Sequence, residues 1–93
     1  MAEIWDIEIC TLRYVGATSA AARVCAELRR VAHLSGQRAT LDHASGVIMA
    51  TFRVHALDAG HAGRIGFAAF QAALQRSQLE PAIGDTRVFP ARS

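Results

Sequence analysis

The sequence predicts a single α+β domain of residues 1–93, with the element order β-α-β-β-α-β and a four-stranded antiparallel sheet. The first segment alternates apolar and polar residues with the period of a strand. Two later segments repeat apolar residues at the steps of an amphipathic helix. A Ser-Gly pair between them joins two further alternating segments, as in a hairpin. A chain this short buries only about 60 to 65% of its unfolded surface, so surface covered by a partner matters to its stability.

The first strand is predicted from Ile4 to Val15. Its first half places Trp5, Ile7 and Ile9 on one side. Its second half has apolar residues on the other side, so either a bulge interrupts the strand or both faces become buried. The residues that are out of phase are Cys10, Leu12 and Tyr14.

Gly16 is expected to end this strand, and Thr18 or Ser19 to cap the first helix. We expect Gly36 to end that helix as a left-handed residue just beyond its last turn. The apolar stripe of the helix comprises Ala21, Val24, Cys25, Leu28, Val31 and Ala32. Its solvated face carries Arg23, Glu27 and Arg30.

A hairpin with a two-residue turn at Ser45 and Gly46 is predicted next, because glycine supplies the positive φ that such a turn requires. Counting outward from the turn assigns the pairs on each face. The core face pairs His43 with Ile48, Leu41 with Ala50, and Ala39 with Phe52. The other face pairs Asp42 with Met49, Thr40 with Thr51, and Arg38 with Arg53.

Glycines at 60, 63 and 66 then precede the second helical pattern. We interpret them as a flexible connector between strand and helix. The alternative is an anion-binding loop, in which backbone N–H groups and the positive end of the helix attract a phosphate. That loop would consist of Gly60, His61, Gly63 and Arg64, although its spacing is not that of the dinucleotide-binding fingerprint G-x-G-x-x-G.

The second helix is predicted from Ile65 to about Ser77, Pro81 stops it, and Ala82 to Phe89 form the last strand. Two β-α-β units with right-handed crossovers place the first and third strands at the centre of the sheet and both helices on one face. This arrangement is the ferredoxin-like sandwich.

The sheet face turned away from the helices is predicted to be unusually apolar for a surface in water. Its apolar side chains would expose on the order of several hundred Å², about the limit for a soluble monomer. We therefore expect a homodimer that packs sheet against sheet about a two-fold axis. The alternative is that a bulge returns Leu12 and Tyr14 to the core. The predicted apolar residues of this face are Ile4, Cys10, Leu12, Tyr14, Val47 and Met49, and the polar ones are Asp6, Glu8, Arg38, Thr51, Arg53 and His55.

The predicted pairing of Arg38 with Arg53 is unfavourable unless acidic groups lie close to the two guanidinium groups. Asp6 and Glu8 on the neighbouring strand predict a cross-strand charge ladder. The alternative is that the arginines hold a small acidic ligand, for which the guanidinium group is well suited. The candidate ligand-binding residues are Arg38, Arg53, His55 and Tyr14.

The segment SGVIMATF resembles the RNP1 string of RNA-recognition motifs, with Gly46 and Phe52 at the positions of its glycine and final aromatic residue. Val47 and Met49 stand where stacking rings would be needed, which weakens the implied RNA binding. The strings GHAG and GRIG match the GXXG loop of KH domains, but that loop joins two helices.

Composition excludes several functions. All ten basic residues are arginine and the chain lacks lysine and asparagine, which rules out a Schiff-base or P-loop lysine. A net charge of +2 with dispersed arginines disfavours nucleic acid as a partner. No apolar run is long enough to cross a membrane, so we expect a soluble cytoplasmic protein. No disulfide, metal site or cofactor is expected from Cys10, Cys25 and the four histidines.

These observations favour a non-catalytic homodimeric interaction module or small-ligand regulatory module, comparable in architecture to ACT-type domains. Small enzymes of the same topology include acylphosphatases, which need an asparagine, and dimeric α/β-barrel monooxygenases or isomerases. A barrel enzyme with a cavity near Tyr14, Arg53 and His55, where His55 or Tyr14 acts as acid or base, remains the alternative. An RNA-binding domain is the second alternative.

Overall fold

Four strands and two helices follow one another in the order β-α-β-β-α-β, which confirms the ferredoxin-like prediction. The computed structural model describes residues 3–12, 18–79 and 82–91. The sheet is antiparallel with the order β2-β3-β1-β4, so the first and third strands are central as expected. The elements are β1 (Glu3–Thr11), α1 (Thr18–Arg29), β2 (Leu34–Asp42), β3 (Val47–Ala56), α2 (Ala59–Arg76) and β4 (Ile83–Pro90).

Strand β1 keeps a regular alternation up to its end. Ile7, Ile9 and Thr11 all face the core, and the buried Thr11 Oγ1 accepts a hydrogen bond from the Ile48 N–H at 3.0 Å. The apparent change of phase in the hydrophobic pattern after Ile9 arises only because the last core position of the strand holds the polar Thr11. The pairing with β4 does shift between Ile9 and Thr11, but Leu12 stays 65% exposed and does not return to the core. Gly16 and Tyr14 lie outside the described residues.

Helix α1 is shorter than predicted, and the expected role of Gly36 is wrong. The helix ends at Arg29, and Gly36 lies within β2, where the pairing with β3 shifts between Ser35 and Arg38. Its φ of 61° is left-handed, as predicted, but it serves an irregularity of an edge strand. The left-handed conformation of Gly36 was therefore predicted correctly, but its location in a strand was not. The predicted ion-paired face is confirmed by Arg30 Nη1 and Glu27 Oε1, which are 3.6 Å apart.

The hairpin has a longer turn than predicted, which corrects its register. Leu41 pairs with Ile48 and Asp42 with Val47, so the pairing of Arg38 with Arg53 was wrong. The Asp42 carboxylate accepts hydrogen bonds from the Ser45 hydroxyl at 2.8 Å and the Ala44 N–H at 3.0 Å, which fixes this turn. The hydrogen bond from Ser45, and to a smaller extent that from Ala44, holds the pKa of Asp42 below its ordinary value.

Helix α2 begins at Ala59 and contains the glycines that were expected to form a connector. Asp58 is its N-cap, and its carboxylate accepts the His61 N–H at 2.8 Å. Gly66 lies so close to β1 that a Cβ there would be 2.9 Å from Ile7 Cγ2. A glycine is therefore used here for close packing of helix on sheet. The prediction of a flexible joint was wrong.

The core lies between the sheet and the helices. It contains Ile48, Ala50 and Phe52, as the hairpin pattern predicted, because a register error of two residues keeps each paired side chain on its face. His43 was wrongly predicted on the core face: it lies exposed in the turn. The largest fully buried side chains are Phe70, Ile7, Ile9, Leu28, Ile48, Leu74, Val24, Val54 and Thr11.

Candidate functional site

The sheet face turned away from the helices, called the open face below, is the main candidate site. Along the two central strands its side chains alternate with those of the core. The central strands pair Ile4 with His55, Asp6 with Arg53, Glu8 with Thr51, and Cys10 with Met49. On the edge strands, Arg38 pairs with Thr51, Arg87 with Glu8, and Phe89 with Asp6.

Large apolar side chains are exposed on the open face. Ile4 is 45% exposed, Met49 41% and Phe89 42%, while Cys10 and Val47 are half-buried. With Leu12, the face holds four of the six exposed large hydrophobic residues of the described chain. The sequence does not place Phe89 on this face, because no tight turn precedes the last strand from which its register could be counted.

The charges of the open face are partly paired across strands. Arg53 Nε donates to Asp6 Oδ1 at 2.8 Å, with the two side chains 50% and 40% exposed. This is the charge ladder expected from Asp6. Arg38 and Arg87 make no ion pair within the described part of the chain.

Two shallow depressions lie on the open face. Arg38 and Arg53 line the same one, so the structure brings these two candidate ligand-binding residues together. His55 does not line that depression, and Tyr14 lies outside the described residues. The first depression is bordered by Asp6, Glu8, Arg38, Thr51, Arg53 and Phe89, and the second by Glu8, Cys10, Met49, Asp85 and Arg87.

The candidate anion site lies in the first two turns of α2 and is not a loop. Gly60, His61, Gly63 and Arg64 are all helical, and the Asp58 carboxylate already accepts the His61 N–H. His61 Nδ1 in turn accepts the Leu57 N–H at 3.1 Å. An anion would therefore meet a carboxylate at this helix start, and its binding here stays a prediction.

The RNP1-like string lies on β3 as expected, but its aromatic residue faces the wrong side for RNA. Phe52 is 2% exposed and packs in the core, whereas Val47 and Met49 are on the open face. Bases stack on exposed rings. Phe52 therefore cannot contribute to a stacking surface.

The cysteines occupy the predicted elements, with Cys10 in β1 and Cys25 in α1, and both are free thiols. Among the helices that the structure describes, none is long and apolar enough to cross a membrane. Neither a protein-family model nor a curated protein matches this chain.

Proposed function

We propose that the protein is a non-catalytic interaction module that forms a homodimer through its open face. The observation that carries this proposal is the exposure of Ile4, Met49 and Phe89 on the same face of the sheet. An exposed apolar patch bordered by charged residues is typical of an interaction surface.

The sheet edges favour the face over an edge as the interface. Strand β2 carries the left-handed Gly36 and an irregular register, and β4 ends at Pro90 with Asp85 and Arg87 exposed. Bulges, proline and charge are the features that protect edge strands from pairing with another chain. Two copies that pack face to face leave these protected edges at the rim.

The size of the open face is sufficient for a small dimer interface. Its strands have 8 to 10 residues. Four such strands cover about 30 by 19 Å at the usual rise and spacing, and two copies together bury roughly 1,100 Å² or more. This is close to the lower end of the range for specific interfaces, about 1,200 Å².

Two phenylalanines of nearly equal exposure provide a matched test. Phe89 is 42% exposed on the open face, and Phe67 is 43% exposed in a groove between α2 and β4. We expect Phe89→Ser to raise the dimer Kd at least about tenfold, because an aromatic residue in an interface commonly contributes more than 1 kcal/mol. Phe67→Ser should leave the Kd unchanged. Sedimentation velocity over a concentration series measures both.

An equal effect of the two substitutions would mean that the open face is not the interface. Circular dichroism of each variant separates a change in association from a change in folding.

A small acidic ligand at the open face is the second candidate. It is supported by Arg38, which lines the same depression as Arg53 and has no ion-pair partner within the described ranges. Arg38 lies on an edge strand, so solvent reaches it at the rim of a dimer. His55 lies outside this depression and Tyr14 outside the described residues, so the proposed binding pair is Arg38 and Arg53.

Calorimetric titration with citrate tests this ligand proposal. We expect saturable heat that Arg38→Gln abolishes, because a guanidinium group binds a carboxylate through two hydrogen bonds. Arg76→Gln, at the exposed end of α2, is the control and should bind citrate as the wild type does. No heat with the wild type, or equal binding by both variants, would rule out this site.

A further inference from the structure

We infer that the two-fold axis of the proposed dimer runs along the strands, between β1 and β3. Each copy then places its β1 over the β3 of the other copy. This inference rests on the proposed dimer and adds the orientation of its two chains. The residues that β1 and β3 pair within one chain determine which side chains meet across the interface.

Charge favours this orientation. Asp6 and Arg53 are direct neighbours on β1 and β3, joined by the 2.8 Å hydrogen bond. Rotation about an axis between these strands brings Arg53 of each copy over Asp6 of the other. The result is a ring of four alternating charges at the interface. Each Asp6 and each Arg53 then has an oppositely charged neighbour when association removes water. A buried ion pair requires such a neighbour to be stable.

The apolar side chains of β1 and β3 favour the same orientation. The same rotation brings Cys10 of one copy over Met49 of the other, because these residues are paired on β1 and β3. At the end of the strands it brings Leu12 over Val47. Both contacts bury one apolar side chain against another, and the soft, unbranched Met49 adapts to its neighbours.

The orientation with the axis across the strands is unfavourable. It places β1 over β1 and β3 over β3, so Asp6 and Glu8 of both copies come together on the acidic strand. Facing carboxylates repel one another strongly in a water-poor interface. On β3, Arg53 of each copy would then meet Arg53 or Thr51 of the other, and no carboxylate.

The remaining charges of the favoured orientation are Glu8, which lies over Thr51 of the other copy, and two arginines at the rim. Arg38 on β2 lies toward Arg87 on β4 of the other copy. Packed sheets are rotated by about 30° relative to one another, so the match is closest at the centre and widens toward the edges. Both arginines are exposed and extend into solvent.

Mixed charge variants test the orientation. Met49→Glu in one chain and Cys10→Arg in the other create a contact between opposite charges only if β1 lies over β3. Met49→Glu mixed with Met49→Arg creates such a contact only if β3 lies over β3. The readout is the heterodimer Kd of each mixture by sedimentation, beside the wild-type homodimer and each variant alone.

We expect the first mixture to dimerise at least about tenfold more tightly than the second and than either variant alone, the effect of one desolvated charge pair. Equal or tighter association of the second mixture overturns the orientation. So does failure of both mixtures while the wild type dimerises, and in both cases the dimer itself stands. A monomeric wild type would instead overturn the proposed dimer as well.

Discussion

Met49→Glu is expected to raise the Kd of the homodimer by roughly 100-fold or more, because each interface then contains two buried carboxylates without partners. Met49 lies on the central strand β3, where it pairs with Cys10 near one end of the β1–β3 ladder. It is 41% exposed within one chain, so a charge there is hydrated in the monomer and desolvated only on association. The effect should therefore appear in sedimentation and hardly at all in the thermal unfolding of the monomer.

Ala26→Glu is the control for Met49→Glu. It adds the same charge to the exposed surface of α1, away from the open face. It should leave the dimer intact. If Met49→Glu dimerises as tightly as Ala26→Glu does, the open face is not where the chains meet.

Gly66→Ala is expected to lower the free energy of unfolding by about 1 to 2 kcal/mol, although alanine favours a helix. The new Cβ would lie 2.9 Å from Ile7 Cγ2 and 3.3 Å from Ile7 Cγ1. Ile7 is 1% exposed and has no space into which to move. The helix must therefore shift away from β1, which loosens the packing of the core.

Gly63→Ala, one helical turn earlier, is expected to have the opposite sign. Its Cβ would meet only Val88 Cγ2, at an ordinary contact distance of 3.6 Å. We expect a gain of about 0.5 to 1 kcal/mol from the higher helix propensity of alanine. Urea unfolding of the two variants beside the wild type measures both changes. Stabilisation by both would show that Gly66 is not needed for the approach of helix to sheet.

The fold was predictable because the hydrophobic periodicity of a segment shows which of its faces is buried. This assignment stays correct even when the length of a turn or the register of a strand is predicted wrongly. The hairpin shows this most clearly. Its turn was assigned too few residues, yet Ile48, Ala50 and Phe52 were correctly placed in the core, since an even shift of register preserves the face. The features that a pattern predicts less well are the ends of elements, as at Gly36.

The glycines of α2 were misinterpreted because glycine is both a loop residue and a means of close packing. Two sequence features could have indicated the helix. Asp58 is a favoured N-cap, and glycines three residues apart fall near one face of a helix. The low helix propensity of glycine disfavours a helix at these positions. The close approach of Gly66 to Ile7 outweighs that preference.

The open face was predictable in part. Ile4, Leu12 and Met49 were expected on it and are exposed there. Phe89 was not, because the register of β4 depends on its pairing with β1, which no local pattern encodes. The ion pair of Asp6 with Arg53 was expected as a cross-strand charge ladder, and the pairing of β1 with β3 determines which two residues meet.

The mass of the wild-type protein in solution, measured by light scattering or sedimentation across a concentration series, tests the central claim most directly. Association through the open face predicts a species of twice the 10.0 kDa chain mass that gives way to single chains on dilution. A mass of one chain at the highest soluble concentration would contradict it, because the apolar side chains of the open face would then remain in water.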